Sequence, residues 1–95
     1  MAVAMDRRTW TRIEARARAD MLEMATRAGE RGVTLSQVVE CRVAMRELPF
    51  ERRVAVARAL EREGAIVLLH HAPTGRRGPR RRSYVLPEVA TRLGA

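Results

Sequence analysis

Residues 58–71 read Arg58-Ala59-Leu60-Glu61-Arg62-Glu63-Gly64-Ala65-Ile66-Val67-Leu68-Leu69-His70-His71, and within them a helical pattern gives way to an extended one. Leu60 closes an apolar stripe begun by Phe50, Val54 and Ala57, whose spacing is that of a helix with one buried face. Gly64 stands where a helix commonly ends in a left-handed residue. The run from Ala65 to His71 reads as a strand, and its lack of alternation implies cover on both faces near its start. A strand needs a partner, and the chain downstream supplies one. Residues 72–79 form an eight-residue loop with Gly75, Gly78 and two prolines; residues 80–86 return as a strand with Tyr84 and Leu86 on one face, ended by Pro87. The hairpin tip is strongly basic. Arg76, Arg77, Arg80, Arg81 and Arg82 fall within seven positions, and residues 64–87 contain no acid.

Upstream, Pro49 suits the first position of a helix over residues 49–63. The expected core stripe is Phe50, Val54, Ala57 and Leu60, and the outward face is Glu51, Arg52, Ala55, Arg58, Ala59 and Arg62. Small residues between long arginines let such a face approach another surface closely. Before it, Thr34 and Gln37 form a capping box that starts a helix over about 34–45, with Leu35, Val38 and Val39 inward. A regular helix past Cys41 would carry Arg42 and Arg46 to its inner side, so a bend or stop is expected between Arg42 and Met45. Val33 is read as the start of a very short strand. The leading helix covers residues 6–28, capped by Asp6 and ended by Gly29, with Trp10, Ile13, Ala17, Met21, Met24 and Ala28 on its core stripe. Glu14–Arg18 and Glu23–Arg27 are spaced as i,i+4 ion pairs. Residues 87–95 either make one or two helical turns with Val89 and Leu93 packed, or fray.

The order helix, helix, helix, two-stranded hairpin with a basic tip resembles a winged helix-turn-helix domain. Leu35-Ser36-Gln37-Val38-Val39 resembles the first helix of that motif, and residues 58–67 are similar to the end of its recognition helix and the entry to its wing. The resemblance covers about residues 34–86. It implies a mainly α fold with a small β-hairpin, three helices plus a wing, as a single domain over residues 1–95. One departure is that residues 42–48, between the second and third helices, lack the glycine often found in that turn.

Charge supports a polyanionic partner. The chain has 95 residues and a formal net charge of +8, carried by 19 arginines and no lysine. The excess is +2 over residues 1–48 (nine Arg, seven acids) and +6 over residues 49–95 (ten Arg, four acids). The guanidinium fork suits phosphate oxygens and guanine edges. A chain of this size removes only roughly 60–65% of its unfolded surface from water, which leaves little room for a deep substrate cleft.

Other chemistries find little support. Adjacent His70 and His71 point to opposite faces of a strand and cannot chelate together, and no further ligand lies at metal spacing. Cys41, the single cysteine, permits no internal disulfide and reads as a small core residue. No nucleophile and base are paired, and Gly75 to Gly78 lacks the lysine and setting of a phosphate loop. No apolar run reaches membrane length, and Met1 to Met5 is too short for a signal peptide. The expectation is a cytoplasmic, cofactor-free, non-enzymatic binder of double-stranded DNA.

In that expectation the third helix enters the major groove with Arg52, Arg58 and Arg62, while Ala55 and Ala59 allow close approach. The five hairpin arginines follow the backbone or enter the minor groove. The role implied is that of a small transcriptional regulator of prokaryotic or phage type. Homodimerisation would multiply its contacts, through the second face of the first helix (Ala15, Ala19 and Leu22) or the Val89/Leu93 segment. Two alternatives stay open: an adaptor whose basic wing meets an acidic protein partner, and a nucleic-acid binder with little sequence preference.

Overall fold

The computed structural model describes residues 7–71 and 81–94. Helix α1 (Arg7–Ala28) is followed by a 3-10 turn (Gly29–Arg31), α2 (Leu35–Cys41), α3 (Val43–Glu47), α4 (Phe50–Arg62), β1 (Val67–His71), β2 (Arg81–Val85) and α5 (Pro87–Arg92). The architecture is mainly helical with one antiparallel hairpin, in register Val67↔Val85 through His71↔Arg81. Asp6 and the loop of residues 72–79 lie outside the described residues.

Local signals account for the helix ends. The Thr34 N–H donates to Gln37 Oε1 at 2.8 Å, and the Gln37 N–H donates to Thr34 Oγ1 at 3.1 Å, closing the capping box. Thr34→Ala should cost about 1 kcal/mol, read as a fall of roughly 4–8 °C in thermal midpoint. At the other end of the helical region, Gly64 adopts φ +75°. Its N–H donates to the Glu61 carbonyl, and the Ala65 N–H reaches back to the Leu60 carbonyl, so the last turn of α4 is closed before the strand begins.

The helix expected over 34–45 is two helices. Arg42 is extended (φ −129°, ψ 122°) and serves both as the C-cap of α2 and the N-cap of α3. The break keeps Arg42 and Arg46 off the apolar side, and Val38 and Met45 are buried instead. Arg46 then donates to the Val39 and Glu40 carbonyls at the end of α2, and Arg53 of α4 donates to the Met45 and Arg46 carbonyls at the end of α3. Carbonyls left open at helix C-termini accept such donors readily.

Ala17, Met21 and Ala25 of α1 meet Val38, Met45, Leu48, Val56, Ala57, Leu60 and Ile66 in the main core. A smaller cluster, Val85 with Val89 and Ala90, sits between the hairpin and α5. Three expected core residues are elsewhere. Phe50 is 71% exposed and Val56 is buried in its stead, because α4 turns its Arg52-Val56-Ala59-Glu63 side toward α1. Cys41 is exposed at the end of α2. In α5, Leu93 is exposed and Ala90 packs beside Val89.

Val33 contributes a single bridge to Tyr84, with N–H···O distances of 2.9 and 2.8 Å. Thus β2 is held on one edge by β1 and on the other by Val33. Gly32 makes this approach feasible: it lies at φ 70°, ψ 178°, and a Cβ there would meet Ser83 Oγ at 2.4 Å.

Candidate nucleic-acid interface

Helix α4 has three kinds of surface. Val56, Ala57 and Leu60 are buried. Arg52 and Glu63 lie on the side facing α1, where Arg52 pairs with Glu14 at 2.5 Å and Glu63 pairs with Arg18. The Arg52 guanidinium also stacks over Trp10, 4.9 Å from the ring centroid. The Glu14–Arg18 pair expected within α1 is therefore replaced by two pairs that join α1 to α4, whereas Glu23–Arg27 forms as expected at 2.9 Å. The third surface faces solvent and carries Glu51, Ala55, Arg58 and Arg62.

Arg52 is thus engaged internally, with its charge balanced by Glu14. Arg58 and Arg62 are exposed and make no ion pair or hydrogen bond among the described residues. Tyr84 of β2 is half-buried against the main core, and charges of α4 act on its phenol. Burial first, and the Glu61 carboxylate second, push its pKa up, while Arg82 and Arg58 pull it down. Arg82 is exposed and lies opposite His70 in the hairpin. Arg81 is placed only as a backbone position of β2, and Arg76, Arg77 and Arg80 lie outside the described residues.

The structure also joins two surfaces that the sequence treats as separate. Ala15 of α1 and Ala55 and Ala59 of α4 line one open groove of about 430 Å³, bordered by Arg18 and Arg62. Ala19 is exposed, while Leu22 is half-buried against the main core. The alanine face of α1 is consequently reduced to Ala15 and Ala19.

The buried Asp20, and its pairing with Arg42, escape sequence reasoning. Asp20 is buried on α1 and receives the Arg42 Nη1 at 3.3 Å, while the Arg42 Nη2 donates to Glu23 at 3.1 Å. This pairing anchors the α2–α3 break to α1. Its only sequence signal is an acid, Asp20, one position before core residue Met21. The hydrogen bond and charge of Arg42 hold the Glu23 carboxyl below its ordinary pKa, with Arg27 adding to the effect. A lowered folded-state pKa contributes stability above the ordinary value, ~4.3 for Glu, and that stability is lost as pH falls through the folded value. The thermal midpoint should therefore drop more steeply below about pH 4.3 in the wild type than in Arg42→Met, as followed by circular dichroism.

No group of three or more metal-ligating side chains occurs among the described residues, and no described helix is long and apolar enough to cross a membrane. No protein-family model, curated protein or solved structure matches the chain.

Proposed function

We propose that this chain is a winged helix-turn-helix module that binds double-stranded DNA with sequence preference, as a small transcriptional regulator of prokaryotic or phage type. The observation that carries the reading is the pair of exposed arginines on the outer side of α4, Arg58 and Arg62, which make no ion pair or hydrogen bond among the described residues, together with the exposed Arg82 of the hairpin. Supporting it is the chain order, in which the residue between the first two helices bridges to the returning hairpin strand. In this reading α4 lies in the major groove, which admits one helix and displays a full donor and acceptor code. Ala55 lets the helix approach, and Arg58 and Arg62 reach phosphates or guanine edges. The arginines of residues 76–82 extend the contact to the backbone or minor groove. Arg52 takes a different part: through Glu14 and Trp10 it fixes how α4 is presented. A two-fold pair formed through Ala15 and Ala19 would double the contacts on a near-palindromic site.

The test is a fluorescence-anisotropy titration of duplex DNA over a range of salt. Neutralising about five phosphates predicts a slope of log K against log salt of about −4 to −5. Competition with random duplex then separates a regulator from a binder without sequence preference. An absence of duplex binding at low salt would sink the reading.

A further inference from the structure

We infer that the outer face of α1 carries a second site for duplex DNA, so that one molecule joins two duplexes; the inference rests on the duplex-binding reading above. Arg8, Arg12 and Arg16 succeed each other at i,i+4 along α1, and all three are exposed. They form a ridge ~12 Å long at the usual rise per residue. Like charges at this spacing repel, and a bound polyanion relieves that repulsion. Arg8 and Arg12 make no ion pair or hydrogen bond among the described residues, and Arg16 meets Asp20 through Nε alone, at 3.5 Å. The acids of α1 are committed elsewhere. Glu14 is paired with Arg52, Asp20 is buried against Arg42, and Glu23 is shared by Arg27 and Arg42. Glu47 of α3 borders a hollow of about 440 Å³ beside Arg12 and Arg16, one acid against three arginines. Ala15 and Ala19 adjoin the ridge and are exposed, so another surface can approach closely, as Ala55 allows beside Arg58 and Arg62. A stripe of arginines along one helix face is the electrostatic footprint of a nucleic-acid backbone.

The two cationic surfaces face away from each other. Helix α1 meets α4 through Glu14 and Arg18, and α4 meets α1 through Arg52 and Glu63. At about 3.6 residues per turn, the α1 ridge lies ~80–160° round its helix from Glu14 and Arg18, and Arg58 lies ~120–140° round α4 from Arg52 and Glu63. Arg12 and Arg16 border α3 instead, across the hollow they share with Val43, Ala44 and Glu47. A duplex held by Arg58 and Arg62 therefore leaves Arg12 and Arg16 turned to solvent, where the phosphates of a second duplex match their charge.

The test immobilises one duplex, loads it with protein at low salt, washes, and offers a second, fluorescent duplex. Wild-type protein is expected to retain the second duplex, with a slope of log K against log salt of about −3 for three phosphates. Arg8→Ala/Arg12→Ala/Arg16→Ala should retain about tenfold less of it while still binding the first duplex as wild type does. Its thermal midpoint should be that of wild type, since all three side chains are exposed, and Arg12→Ala alone should show a smaller loss in the same direction. Binding of one duplex by wild type without capture of a second overturns this inference and leaves the duplex-binding reading standing. An equal loss for both duplexes in the triple variant overturns it too, because the ridge would then grip the same duplex as α4. Undiminished capture by the triple variant also overturns it, since two protomers paired through Ala15 and Ala19 would then do the joining. Failure to bind any duplex overturns the DNA reading and this inference together.

Discussion

Gly32→Ala is expected to lower the thermal midpoint by about 15 °C, equivalent to ~3 kcal/mol for a domain of this size. Two costs combine. Gly32 lies at φ 70° and ψ 178°, a region that residues with a Cβ avoid at about 1–3 kcal/mol. The added methyl would also meet Ser83 Oγ at 2.4 Å, Ser83 Cβ at 2.8 Å and the Tyr84 carbonyl at 3.0 Å. Ser83 is buried and β2 is paired on both edges, so the neighbours have little room to retreat. Gly29→Ala provides the comparison. Gly29 also has positive φ, +57°, yet no atom lies within 4 Å of the added carbon. That variant should lose only about 1–2 kcal/mol, the cost of the left-handed backbone alone. Melting curves followed by circular dichroism distinguish the two. If Gly32→Ala melted no lower than Gly29→Ala, the contact between the turn and β2 would not constrain the hairpin.

The double variant Arg58→Ala/Arg62→Ala should bind duplex DNA about 100-fold more weakly than wild type, as two contacts together contribute ~3 kcal/mol. Both side chains are exposed and unengaged among the described residues, so the fold should be unaffected. The salt slope should shrink by about 2 if both reach phosphates. If either reads a guanine, the loss should instead depend on sequence at one position. Arg92→Ala on α5 removes a charge from a different element and serves as the control; it should change affinity far less. Equal losses in the control and the double variant would mean that net charge, not the α4 surface, drives binding.

Phe50 shows how an intrahelical pattern can mislead. The stripe Phe50, Val54, Ala57 and Leu60 is a valid helical face, but the helix buries Val56 instead of Phe50. Packing of Val56, Ala57 and Leu60 into the core sets this rotation, and it brings Arg52 to Glu14 and Trp10 and Glu63 to Arg18. Cys41 is a similar case. Its small apolar character suggested burial, but α2 ends at that residue and leaves it exposed.

The first, second and last long helical stretches, the hairpin and their order were readable from the chain alone, whereas the separate helix α3 and the choice of helix over a frayed end for α5 were not. The Thr34–Gln37 box, the Gly64 stop and the interruption near Arg42 all rest on interactions within a few residues, whose geometry the backbone dictates. The distribution of arginines between structure and surface was not readable in this way. Arg52 meets Glu14 across 38 residues, and Arg42 meets Asp20 across 22. Charge pairing at such separations depends on which helix faces which, and that was decided by core packing and by the close approach at Gly32. Only after those contacts form do Arg58 and Arg62 stand apart from the arginines that hold the molecule together.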